Sequence, residues 1–339
     1  MIAPRSAETD REIATRPLAK QPRTGFFAHS RLDSLLAAMA GVQLAVLVYG
    51  AWTCGRVPWS ATLGLAAISV FLMCTNFQCT AHNFIHNPFF RSQRLNAVFS
   101  LINSLLLGGS QTLYRLHHLH HHKYNNDLPD PRTGTTNDFT STWRYGRPPT
   151  REESIVSYAL LGYFRSDFRL LLREARRRRV LHDVAWELAA LGAVLLILAT
   201  INFRGFLCFY LPVWFFGNAA AMAENYLEHH GAAPGNRQTD SVSCYNPLYN
   251  FVWFNNGYHQ EHHYRPQVHW TRVPDVRRLL PPESQRRVVR GAHWFNFVAN
   301  SSMSPDRLDG PGSDRRLDAG ADAPLTGSRM ATSLAHKVL

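Results

Sequence analysis

The chain alternates long uncharged stretches with short polar, basic and histidine-bearing ones. No Asp, Glu, Lys or Arg occurs from Ser34 to Gly55. Crossing about 30 Å of hydrocarbon takes roughly 20 apolar residues in a helix, so 34–55 predicts a first membrane span. A short connector, Gly55-Arg56-Val57-Pro58-Trp59, leads to a second apolar run over 61–79. A third span is predicted over 184–203, with Glu187 in its first turn. A fourth follows over 205–223, with Pro212 as a kink. Little more than Phe203-Arg204-Gly205 joins them, so the four spans read as two hairpins.

The stretches between the hairpins read differently. Residues 95–113 are uncharged but interrupted by Asn96, Asn103, Gly108 and Gly109. They predict a half-buried or interfacial helix rather than a span. Residues 123–153, rich in Asn, Asp, Pro, Gly and Thr, predict a loop. The segment 154–172 mixes apolar and charged residues and runs into the Arg-rich 173–179. That pattern predicts a helix lying on a membrane surface. The domain division is then a polar tail over 1–30, a membrane domain over 31–300 and a disordered tail over 301–339.

Charge orients this arrangement. The 339 residues hold 36 Lys+Arg against 24 Asp+Glu, a net charge of +12, and all but Lys20, Lys123 and Lys337 of the cations are Arg. They concentrate in the first tail, in 91–180 and in the C-terminal segment, while each short connector holds one Arg. Basic residues mark the cytoplasmic side. Both termini and the large middle segment are therefore expected in the cytoplasm, with Arg176–Arg179 as an anchor to lipid headgroups and not a nucleic-acid site. A hydrophobic content of 45% excludes general disorder. Five Cys without a CxxC pair exclude a disulfide scaffold. Residues 1–30 lack the apolar core of a secretory signal. The fold class expected is an all-α membrane protein, four transmembrane helices in two hairpins with a cytoplasmic His-rich cap, located in a bacterial inner membrane.

Histidine is the anomaly. Of 17 copies, twelve fall in four clusters. His82 and His86 follow the second span, and an i,i+4 pair shares one helix face. The run Arg115-Leu-His117-His118-Leu-His120-His121-His122 contains HxxHH in two frames, His117/His120/His121 or His118/His121/His122. The second frame is preferred and leaves His117 and His120 outside the ligand set. Asn225-Tyr-Leu-Glu228-His229-His230 ends the fourth span with another i,i+4 pair, Asn225 and His229. His259, His262 and His263 form a second HxxHH. The clusters lie at the cytoplasmic ends of spans two and four or just after them, so one site can gather them. His82, His86, His118, His121, His122, His229, His259, His262 and His263 supply nine nitrogen ligands, with Asn225 as a tenth candidate. A tetrahedral zinc takes four; nine suit two ions. With no Cys among them, imidazoles on two metals at a membrane surface point to iron and oxygen chemistry.

His82-Asn-Phe-Ile-His86, His118 to His122, Asn225 to Gly231 and His259 to His263 resemble the boxes of the membrane fatty-acid desaturase and alkane-hydroxylase superfamily. The resemblance covers roughly 33–297. It implies two non-haem iron ions, with O2 as co-substrate, held by the nine histidines, and a ligand or water-mediated contact at Asn225. Asp127 and Asp130 resemble acidic residues that support ligands from behind, or else they cap their own loop. Glu228 and Glu261 adjoin ligands and could orient them; for Glu261 a solvated surface position is the stronger expectation. His230 stands where the alkane hydroxylases have Tyr. No HPGG haem motif is present, so electrons are expected from a separate ferredoxin, rubredoxin or cytochrome b5 type donor with its reductase.

The reaction implied removes hydrogen from an unactivated aliphatic chain. Desaturation of a fatty-acyl substrate is the main reading. Hydroxylation, ketone formation or oxidative decarboxylation to a terminal alkene is the alternative on the same scaffold. A His-rich membrane metal transporter is the remote one, because span middles lack His, Asp and Glu. Arg115 is a candidate for a substrate head group, or for an ion pair with Asp127 or Asp130.

Overall fold

The computed structural model describes residues 25–147, 151–291 and 293. The expected tails over 1–30 and 301–339 lie outside these residues, except for 25–30. Four helices are long and apolar enough to cross a membrane: α1 (Asp33–Thr53), α2 (Trp59–His86), α7 (Leu181–Ile201) and α8 (Phe203–His229). Between them come α3 (Gln93–Leu107), α4 (Gln111–Tyr124), α5 (Ile155–Leu161) and α6 (Phe168–Arg177). After α8 come α9 (Pro247–Val252) and α10 (His259–Tyr264). The all-helical expectation needs one small correction. Ser243–Cys244 (β1) and Val288–Val289 (β2) pair in parallel.

The two short connectors meet. Asn202 Nδ2 donates to Ala51 O at 2.9 Å, and Cys54 Sγ lies 3.6 Å from Arg204 O. Near this end α1 and α8 pack closely enough to require glycine. A Cβ at Gly50 would sit 2.1 Å from the Phe209 ring. Gly50→Leu is expected to cost about 1–3 kcal/mol through overpacking. A fall in the unfolding midpoint of detergent-solubilised protein checks it.

Helices α2 and α8 are longer than the sequence suggests, and both contain a π turn. Asn76–Ala81 is one such turn, placed directly before His82. Phe206–Tyr210 is the other, placed before Pro212. A ring that lacks an N–H is accommodated by this widening rather than by a break. Polar residues carry both helices past their apolar stretches because they find partners. Gln78 Nε2, for example, donates to Ala221 O at 2.8 Å.

The half-buried or interfacial helix expected over 95–113 is instead two helices, each partly buried. Gly108, left-handed at φ +64°, ends α3, and Ser110 caps α4 by accepting from Leu113 N at 3.1 Å. The turn between them is half-buried among the spans. Gln43 Nε2 donates to Leu106 O at 3.0 Å and Trp214 Nε1 to Gly108 O at 3.1 Å. Gln43 is ten residues into α1, about 15 Å along it. So α3 descends about half the length of a span and α4 climbs back, bringing the second histidine cluster up to the others. A buried amide chain holds this pair. Asn76 Nδ2 donates to Gln43 Oε1 (2.6 Å) and to Asn103 Oδ1 (2.8 Å), and Asn103 Nδ2 donates to Gln111 Oε1 (2.8 Å). Amides tolerated inside a span are those that find one another.

The segment 154–172 is also not one helix. It is α5, a 3-10 turn over Gly162–Arg165, and then α6, which is capped by Asp167 accepting from Leu170 N at 2.9 Å.

Candidate metal centre

The nine histidines converge in two groups. His82, His86, His118, His122 and His262 form one; His121, His229, His259 and His263 form the other, with the ligand atoms of each group within 4.8 Å of one another. Helices α2, α4, α8 and α10 each contribute. Helix α4 feeds both groups because successive residues on a helix point about 100° apart. His118 and His122 face one way, and His121 faces the other. Of the two frames in 117–122, the structure brings in His118/His121/His122.

The spacing tests whether an ion fits. Two nitrogens each about 2.1 Å from one metal at right angles lie about 3 Å apart. The Nε2–Nε2 separations are 2.7 Å for His82–His262, 2.8 Å for His86–His118, 2.9 Å for His118–His122, 3.0 Å for His122–His262 and 3.1 Å for His229–His259. A single imidazole nitrogen cannot satisfy several such neighbours by sharing one proton, whereas a shared cation satisfies all of them. The buried Nε2 atoms of His121 and His263 have no hydrogen-bond partner. Burial, and then the neighbouring imidazoles, push His259, His262 and His263 well below the usual histidine range. They are neutral, which is the form that binds a metal.

The residue behind His121 is not the one expected. Asp138, fully buried, lies 2.8 Å from His121 Nδ1. Burial raises its carboxyl, but the His121 contact and the amides of Asn126 and Thr140 outweigh that and hold it below the carboxylate range. An Nδ1–carboxylate contact fixes the tautomer that leaves Nε2 free. Asp127 stands one layer further out, accepting from the Asp138 amide at 3.0 Å and from Asn137. Asp130 caps its own loop through the amides of Arg132 and Thr133. Neither forms an ion pair with Arg115 among the described residues, and Arg115 is exposed. Asp138→Asn is expected to weaken metal retention about 10–100-fold. Iron content after dialysis against a graded chelator measures it.

Asn126, left-handed at φ +54°, ties the loop to α8 by donating to His229 O at 3.3 Å. His117 and His120 do not join either group. Both stack on Phe139, and His120 Nε2 lies 2.9 Å from Asn137 O. Glu228 lies 3.5 Å from His259 Nδ1 and accepts from Asn256 at 2.7 Å. Glu261 is fully buried, not solvated. It accepts from Ser243 Oγ at 2.7 Å and from Tyr245 and lies 3.6 Å from Arg286, so it binds α10 to β1 from the side away from the ligands. Asn225 donates through Nδ2 to Tyr158 at 2.6 Å, leaving its carbonyl oxygen for the cavity it lines. His230 turns away from both groups to Glu152, 2.6 Å distant, whose carboxylate also accepts from Gly231 N.

Beside the histidines is a cavity of about 220 Å³. His82, His118, His121 and His259 contribute to its lining near the two groups, and Phe77, Leu107, Leu113 and Leu171 make much of it apolar. No Lys or Arg, Arg115 included, is among the described residues that line it.

Comparison with known proteins gives a family. Residues 56–294 match a family model described as fatty acid desaturase. The chain is also similar to a sphingolipid delta(4)-desaturase of Schizosaccharomyces pombe, 27% identical over 263 residues, which cover 70% of this chain and 68% of that protein.

Proposed function

The chain belongs to the fatty acid desaturase family, and from that premise we propose that it desaturates the aliphatic chain of a lipid at a two-iron centre, using O2 and electrons from a separate donor. It is a desaturase-like membrane oxidoreductase of lipid metabolism. The convergence of nine histidines from four helices into a group of five and a group of four carries the finer reading. The first group would hold one iron and the second the other, with the Asn225 carbonyl near the cavity as a further donor. Iron supplies the redox chemistry an unactivated C–H bond requires: a –CH2–CH2– unit, O2, two electrons and two protons give –CH=CH– and two waters. The protein's own part is placement. Asp138 fixes His121, Glu228 backs His259, and the apolar cavity wall holds a methylene chain and excludes water.

The topology proposed has both termini and the centre on the cytoplasmic side. Two facts support it: the Arg-poor connectors pack together, and the histidines cluster where α2 and α8 end. The relative's name puts a sphingolipid among the substrates to test.

Mass spectrometry of total lipid and headspace hydrocarbon tests the reading, in a bacterial host expressing the chain beside His118→Ala and His262→Ala. The donor system and a sphingoid lipid are co-supplied. A new unsaturated chain, absent from both variants, is the expected result. A new alcohol or terminal alkene, lost in the same way, would overturn desaturation.

A further inference from the structure

The cavity has a side that faces away from the histidines. Phe168, the first residue of α6, and Leu188, on α7, both line it. Both are also exposed on the outside of the molecule, at 44% and 43%. Leu188 is seven residues into α7, about 10 Å along a candidate span. A wall residue that is also half-exposed borders an opening, and here two such residues come from different helices. Apolar side chains surround the pair, with the exposed Arg169 next to Phe168. Phe164 and Leu172 flank Phe168, and α7 continues outward with exposed Trp186 and Leu196. Helix α7 buries only Val184, Glu187 and Leu191, so nearly all of its surface is available to lipid. The polar groups that reach the cavity nearby, Ser110, Ser166 and Thr140, are neutral.

Given the proposed desaturase reading, on which this inference rests, we propose that the acyl chain enters sideways from the bilayer, through the gap between Phe168 on α6 and Leu188 on α7. The substrate is then a lipid that stays in the membrane throughout the reaction, not an acyl thioester delivered from water. Leu188, about 10 Å into a candidate span, puts one side of that rim at hydrocarbon depth, where an apolar chain is admitted, and Arg169 beside Phe168 stands where the head group of the lipid that carries the chain would lie.

The test uses the full iron-loaded chain in phosphatidylcholine vesicles containing a lipid whose acyl chain bears a diazirine. Irradiation and peptide mapping locate the adducts. The wild type is expected to be labelled at cavity residues in 107–113. Leu188→Trp and Phe168→Trp are expected to lower that labelling about tenfold or more, the ratio produced by an obstruction with the usual overpacking cost. Leu196→Trp, on the same helix but 66% exposed and not a lining residue, should label like wild type. Undiminished labelling in both obstructed variants would overturn the proposal. So would equal labelling by a water-soluble diazirine acyl thioester. If the obstructed variants lose their iron or fold poorly, the wild type decides, by whether Phe168 and Leu188 themselves carry adducts. Labelling requires no turnover, so the desaturase reading can fail in product analysis while this inference stands, and the reverse.

Discussion

His121→Ala is expected to lower bound iron from two to one per chain and to reduce product by more than about 100-fold, beyond what loss of an outer partner costs a metal site. His121 belongs to the smaller group, where its removal leaves three imidazoles. It also takes one partner from Asp138, a buried carboxylate that keeps the amides of Asn126 and Thr140. A hydrogen bond to a charged group contributes about 1.5–3 kcal/mol, so the loop over 126–142 should loosen as well. His262→Ala is the internal comparison. It leaves four imidazoles in its group, and its expected iron loss is smaller at saturating iron. Iron stoichiometry on purified protein, together with the Mössbauer signature of each site, separates the two cases. Two irons and unchanged product in His121→Ala would remove the four-histidine group from the centre.

These contrasts were only partly legible in the sequence. The spans were, because an uncharged run of about 20 residues has one common use: 34–55 and 184–203 differ from Asp33–Thr53 and Leu181–Ile201 by no more than three residues at an end. Helices α2 and α8 run on to His86 and His229, past the predicted ends at 79 and 223. Hydropathy drops at Asn76, Gln78, Glu224 and Glu228, yet the helices continue because each of those side chains meets a partner from elsewhere in the fold. The histidine spacing identified the faces that converge, since i,i+3 and i,i+4 geometry is local. The division into five and four was not visible, because it depends on how α4 passes between the other helices. Loop residues carry no period, so nothing distinguished Asp138 from Asp127 and Asp130. The turn at Gly108 was hidden for a different reason. An uncharged stretch broken by Asn and Gly looks interfacial until Asn76, Asn103 and Gln111 are seen to pair inside the protein.

Glu187 was legible only as a charge in the first turn of a span, and replacing it should produce the largest loss of stability. Its carboxylate is buried and accepts four hydrogen bonds: from Ser100 Oγ (2.6 Å), Ser110 Oγ (2.5 Å), Thr112 N (2.9 Å) and Thr112 Oγ1 (2.8 Å). Three of these donors, from Ser110 and Thr112, stand at the start of α4, where the N-terminal amides lack partners within the helix and favour a negative group. Glu187 therefore joins the lipid-facing α7 to the half-buried turn from which the second histidine cluster rises. Glu187→Leu leaves three hydroxyls and an amide without their acceptor at hydrocarbon depth, where no water replaces it. Hydrogen bonds to a charged group contribute about 1.5–3 kcal/mol each. Even with the hydroxyls turned to other acceptors, a loss of about 3–5 kcal/mol is expected, comparable to breaking a buried ion pair. Glu187→Gln should recover only part of it, because its amide nitrogen faces donors where an oxygen stood. Chemical unfolding in detergent ranks wild type, Gln and Leu in that order. Because α4 carries histidines of both groups, iron retention should follow the same ranking. A Gln variant as unstable as Leu would show that the contact depends on charge, and a Leu variant as stable as wild type would show that α4 is held without it.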